Sequence, residues 1–149
     1  MKDVREPVQK RSIEKKKKIL DAGFTLFCEK GYYKTNTTEI AKRAGISTGA
    51  LYSYFKDKKQ IYIAAFHNYL VNISDRLLDK LSLQQPFSLP DFVESWICCY
   101  IDLYADTSRA LAQLRMMISE DIDINRHFSN YENEYFCKIT ELLTKNDIA

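Results

Sequence analysis

Apolar residues recur at helical spacing along most of this chain, and no stretch keeps the period of two that a strand requires. Ile13, Leu20, Phe24 and Phe27 follow one another at steps of seven, four and three, one buried face of a helix. Ser12 can cap that helix, and Gly31 stands just past its end at Lys30. Residues 1–11 before it read as a mobile basic arm. Gly23 is a poor helix former inside the pattern, which points to a neighbouring helix approaching closely. Of Tyr32 and Tyr33, one is expected to pack under the second helix of the motif that follows.

That motif is TNTTEIAKRAGISTGALYSYFKDKK, Thr35 to Lys59. Asn36 can cap a short helix, with Glu39 placed to reach back to the cap's own N–H. Ile40, Ala41 and Ala44 share one face of it, and Gly45 can take the positive φ that stops it. After Ile46 at the corner, Ser47 opens a second helix, Thr48 to Phe55, with Leu51 and Phe55 facing inward. Its other face offers Thr48, Gly49, Ala50, Tyr52, Ser53 and Tyr54, all small or hydroxyl-bearing apart from the tyrosine rings. Such a face can press against base edges, so the pattern is a helix-turn-helix whose second helix enters the major groove.

Beyond it, Ile63, Phe66, Leu70, Ile73, Leu77 and Leu81 mark a long helix from about Asp57–Lys58 to about Leu83. The segment QQPFSLPD breaks the chain: Pro86 ends that helix, and Ser88 with Asp91 signals a new cap, Pro90 being tolerated in the first turn. Three further helices are predicted. One carries Val93, Trp96, Ile97, Tyr100, Ile101 and Tyr104; a short one, about Ser108 to Ser119, carries Leu111, Leu114 and Ile118. The last, from about Asn125, repeats Phe128, Tyr131, Tyr135, Ile139 and Leu142. The predicted fold class is all-α, with a DNA-binding head over 1–57 and a helical regulatory domain over 58–149.

Charge sharpens this division. Residues 1–60 carry 15 Lys/Arg against 7 Asp/Glu, whereas the remainder carries 7 against 13, so a net +2 conceals a basic head and an acidic body. The basic half is the half with the helix-turn-helix, as a phosphate-binding footprint requires. Lys34 stands where DNA backbone would pass, and one or two of Lys15–Lys18 are candidates for proximity to phosphate. No apolar run is long enough to span a membrane, and the N-terminus has no apolar signal core, so a cytoplasmic protein is expected. Cys28, Cys98, Cys99 and Cys137 show no zinc spacing and read as reduced thiols; redox sensing by the adjacent pair is the alternative. His67 and His127 stand isolated in the sequence. No cofactor or metal is expected. There is no Gly-rich phosphate loop and no Ser/His/Asp arrangement, so nothing supports an enzyme.

The stretch GYYKTNTTEIAKRAGISTGALYSYFKDKKQIY resembles the DNA-binding signature of the tetracycline-repressor (TetR) family of bacterial transcription regulators. The resemblance runs over roughly residues 13–66 and rests on many positions at fixed spacing, including Ser-x-Gly-x-Leu-Tyr-x-Tyr-Phe. It implies phosphate contacts from Thr37, Thr38, Tyr52 and Lys58, which agrees with hydroxyls and a Lys placed at the edge of a head. Thr48, Ala50, Ser53 and Tyr54 are the candidates for reading bases, joined by Thr38 and flanked by Ser47 and Gly49. The resemblance also implies a homodimer on duplex operator DNA and a small-molecule effector of unknown identity, held among the helices of the second half. Phe66, Trp96, Tyr100, Tyr104, Met117, Phe128 and Tyr131 are the candidate lining, suited to flat, apolar or cationic molecules. Aromatic residues at helical spacing can equally be plain core. Glu94 and Asp102 could neutralise a cation, though solvated surface is their default.

The function expected is therefore a repressor released from its operator by a ligand. The alternative is a constitutive DNA-binding or architectural protein without an inducer. Family members usually continue with two further helices that form much of the dimer interface. This chain stops at TKNDIA, about where they would begin, so an incomplete regulatory domain is expected and dimerisation depends on those helices.

Overall fold

The computed structural model describes the backbone of residues 5–82 and 88–148, and their side chains except at 5–9, 81, 99, 100 and 102–108. Among the described residues there are six α-helices and no strand: α1 Arg5–Lys30, α2 Thr37–Ala44, α3 Thr48–Tyr52, α4 Lys58–Ser82, α5 Leu89–Glu120 and α6 Ile122–Lys145. The all-α expectation holds. The chain divides into two compact units, the first ending at Phe66 and the second beginning at His67, with α4 contributing to both.

The first unit closes an apolar core with short helices. From α1 come Ile19, Leu20, Ala22, Leu26 and Phe27, from α2 Ile40, Ala41 and Ala44, and from α3 Leu51. Ile61, Tyr62, Ala65 and Phe66 of α4 complete it, and all are buried. The rings of Phe27, Tyr32 and Phe66 surround Tyr62 at 5.0, 5.2 and 4.4 Å between centroids, and this burial pushes its phenol pKa far upward. Gly23 is a close-approach glycine as expected: a Cβ there would lie 2.9 Å from Cγ2 of Ile61.

Several boundaries differ from the sequence reading. α1 begins at Arg5, not after Ser12, and Ile13 is 69% exposed instead of buried. The lysine-rich run consists of good helix formers, so the helix extends without any core to face, and burial begins only at Ile19. α3 stops at Tyr52, and Phe55 reaches the core from the turn that follows. Tyr32 packs on Phe27 and Tyr62 of α1 and α4, while Tyr33 stays exposed. On α4 the buried apolar positions are Ile61, Tyr62, Ala65, Phe66 and Leu77; Ile63, Leu70 and Ile73 are only half-buried, and the Leu81 side chain lies outside the described residues.

In the second unit α5 runs unbroken to Glu120, where two helices were expected. The chain contains no Gly or Pro after Pro90, so the polar stretch around Ser108 offers nothing that ends a helix. Its N-terminus is closed as predicted, Ser88 and Asp91 forming a reciprocal capping box. The next turn belongs to Asp121, whose carboxylate accepts from the N–H groups of Asp123 and Ile124 at 3.0 and 3.1 Å and starts α6 at Ile122, earlier than Asn125. Leu77, Phe92 and Leu142 bring α4, α5 and α6 together, with Leu78, Tyr135, Ile139 and Leu143 around them. Phe92 takes the inward place on α5, whereas Val93, Trp96, Ile97 and Ile101 are exposed. No described helix is long and apolar enough to cross a membrane.

Candidate nucleic-acid interface

The helix-turn-helix is built by backbone hydrogen bonds that the sequence places locally. Asn36 is extended and its Oδ1 accepts from the Glu39 N–H at 2.9 Å, capping α2. Gly45 takes φ 69° and ψ 34°, and the Ile46 N–H turns back to the Ala41 carbonyl at 3.0 Å, which stops α2. Ser47 then caps α3 by accepting from the Ala50 N–H at 3.1 Å. The Glu39 side chain does not reach back to Asn36. It accepts from Lys30 Nζ at 2.8 Å, and this bond holds its carboxyl below the usual pKa. A second link between α1 and α2 is the two-pronged pair of Arg43 with Glu29, at 2.8 and 3.2 Å. Both pairs are solvent-exposed, so they orient α2 more than they stabilise it.

On the outer surface of this motif Lys34, Thr38, Ser47, Gly49, Tyr52 and Ser53 are exposed, and Thr37, Thr48, Ala50 and Tyr54 are half-buried. Tyr52 Oη lies 2.9 Å from Thr37 Oγ1, so the two hydroxyls of α2 and α3 form one polar point. Exposed Ser53 donates its hydroxyl to the Ala50 carbonyl at 2.6 Å, so its oxygen keeps its capacity to accept. Gly49 lies inside α3, and a Cβ built on it would meet nothing within 4 Å. Nothing inside the protein therefore requires glycine at this helical position.

Lys58, expected as a phosphate anchor, is half-buried and makes contacts within the head. Its Nζ donates to the carbonyls of Tyr32 and Thr35, both at 2.9 Å, and sits 4.3 Å from the centre of the Tyr32 ring. Partial burial lowers its pKa. The ammonium ties the segment before α2 to the start of α4.

The residues expected at a ligand site fall in both units. Phe66 is wholly buried in the first unit, stacked on Tyr62 and 5.1 Å from Phe24. Met117 and Phe128 are buried in the second unit, and Trp96 is 39% exposed on α5. The side chains of Tyr100 and Tyr104 lie outside the described residues. Tyr131 is half-buried, its hydroxyl 2.7 Å from Ser74 Oγ and its ring 5.2 Å from that of His67. That contact leads to a group missed in the sequence: His67 Nδ1 and His127 Nε2 lie 3.2 Å apart. Sixty residues separate them, so no spacing could have signalled the pair. Burial, and then the neighbouring His67, lower the pKa of His127, against an opposing pull from Glu134.

Comparison with known proteins agrees with this geometry. Residues 19–65 match the family model described as bacterial regulatory proteins, tetR family. The biofilm operon icaADBC HTH-type negative transcriptional regulator IcaR of Staphylococcus aureus is 30% identical over 142 residues, covering 89% of this chain and 75% of that relative. The fatty acid metabolism regulator protein of Bacillus subtilis is 34% identical over 63 residues, covering 42% of this chain; the chain thus spans only 32% of that relative's length. Among solved structures, the transcriptional regulator FadR from Bacillus subtilis in complex with stearoyl-CoA superposes with a TM-score of 0.72 at 21% identity, covering 86% of this chain and 68% of that one. With the cap, the glycine stop and the short second helix in place, and a relative matched along most of its length, the chain belongs to the TetR family of bacterial regulatory proteins.

Proposed function

We propose that this chain is a sequence-specific regulator of transcription that binds duplex operator DNA through α2 and α3, acts in the cytoplasm as a homodimer, and represses until a small molecule releases it. The observation that carries the DNA reading is α3 itself. Its outer surface is small and hydroxyl-bearing, and Gly49 has no internal reason to be glycine. A bare backbone at that point lets the helix approach a groove closely. Thr37, Thr38, Lys34 and Tyr52 surround it as phosphate partners, while Thr48, Ala50, Ser53 and Tyr54 face bases. The acceptor capacity of the Ser53 oxygen suits a base-edge amino donor, as on adenine or cytosine. Repression is supported by the similarity to a negative regulator, and effector binding by the fold shared with a FadR solved in complex with stearoyl-CoA. α4 passes from one unit into the other and provides a continuous route for coupling.

The test is selection of binding sites from genomic fragments, followed by affinity measurements across a salt series. Log Kd should rise linearly with log salt, by about 0.9 for each phosphate neutralised. Failure to enrich any duplex, or an affinity indifferent to salt, overturns the proposal.

A further inference from the structure

We infer that His67 of α4 and His127 of α6 form a binding site for a divalent transition-metal ion, with zinc as the representative species. This inference is independent of operator binding by the head. Its basis is the relation of the two rings. Their facing nitrogens are 3.2 Å apart and their centroids 5.1 Å apart, with the ring planes inclined at 66°. Two imidazole nitrogens on one tetrahedral zinc at ~2.0–2.1 Å stand ~3.3–3.4 Å apart, with ring centroids ~5.2 Å apart. Rings pointing straight at each other through a shared proton, at the nitrogen separation seen, would hold their centroids at ~5.5 Å. The observed pair is therefore bent, and both of its separations lie close to those of two imidazoles sharing one ion.

The surroundings hold this arrangement. The Phe128 ring stands 5.1 Å from that of His127, and the Tyr131 ring 5.2 Å from that of His67, both edge-on, so each imidazole has an aromatic wall. The Tyr131 hydroxyl is in turn positioned by Ser74 of α4. Both histidines are half-buried, which leaves an approach for an ion and its other ligands. Imidazole suits zinc, copper and nickel, and disfavours magnesium and calcium, which take oxygen donors. No cluster of three or more His, Cys, Asp or Glu exists among the described residues, so the two nitrogens leave positions on the ion for water or an oxygen-bearing small molecule. The class of ligand that follows is a zinc-type cation with exchangeable positions.

Zinc titration of the full chain against a chromophoric competitor provides the test, with magnesium as control. One equivalent of zinc should bind, and His67→Gln and His127→Gln should each weaken it about tenfold or more. Cys98→Ser and Cys137→Ser, which remove the exposed thiols, should leave zinc affinity unchanged. Proton NMR of the wild type gives a readout that does not depend on the variants folding: the ring resonances of both histidines should shift together at one equivalent of zinc and not with magnesium. Zinc affinity retained in either folded histidine variant, affinity lost with the cysteines, or histidine resonances indifferent to zinc would overturn the site.

Discussion

Ile19, Phe27, Ile40, Leu51, Ile61, Tyr62 and Phe66 of the head have no exposed surface, whereas Val93, Trp96, Ile97 and Ile101 of α5 and Phe136 of α6 remain 39–60% exposed. The first unit withdraws its large apolar groups from water with helices as short as five residues. The second has far longer helices and buries a smaller share of its apolar side chains among the described residues. Burial depends on enclosure from several sides, not on helix length. α1, α2, α3 and α4 all direct side chains into one core, while the cluster of Leu77, Phe92 and Leu142 lies on one side of α5 only. Apart from Ile13, Tyr33 and Tyr52, the head exposes no large apolar residue among those described, so each exposed residue there can be asked whether the fold needs it.

The contrast is most directly broken by paired truncations. Phe27→Ala should lower unfolding free energy by about 3–5 kcal/mol, the usual cost of emptying an aromatic core position. Trp96→Ala should cost about 1 kcal/mol or less, because its surface is already partly in water. Denaturant titration with matched m-values checks both, and equal losses would show that the α5 surface is enclosed in solution.

Lys58→Ala sharpens the comparison within the head. Removing Nζ leaves the Tyr32 and Thr35 carbonyls without that donor and should destabilise the head by about 1–3 kcal/mol, with Lys58→Arg intermediate. Thermal unfolding measures this in the absence of DNA. Unchanged stability with weaker binding to every DNA sequence would instead make Lys58 the phosphate anchor first expected.

Two glycines separate fold from function at the smallest scale. Gly23→Ala drives a methyl against Ile61 and should destabilise by about 1–2 kcal/mol, the overpacking exceeding the gain in helix propensity. Gly49→Ala meets no internal atom and should stabilise α3 by up to about 1 kcal/mol. It should nonetheless weaken specific DNA binding about tenfold or more, equivalent to about 1.4 kcal/mol. Anisotropy with the selected duplex and calorimetry on free protein give the two readings, and full DNA affinity in Gly49→Ala would remove α3 from the groove.

Whatever closes within a few residues was legible in the chain: the Asn36 cap, the Gly45 stop, the Ser47 cap and the Ser88–Asp91 box each involve groups three to five positions apart. Such bonds form wherever the local backbone turns, so residue type and spacing suffice. Gly23 was legible for a related reason, since a residue so unfavourable in a helix needs a steric cause. Helical periodicity also marked the helical stretches, though it divided α5 in two, and it did not show which apolar residue of a stripe would be enclosed. Ile13 and Leu20 both fit the periodicity of α1, and only the reach of α2 and α4 along α1 decides that Leu20 is buried and Ile13 is not. Lys58 finds carbonyls 23 and 26 residues away, and His67 meets His127 across 60. Those meetings depend on the rotation and register of one helix against another, which the summed packing of both helices sets and no short segment encodes.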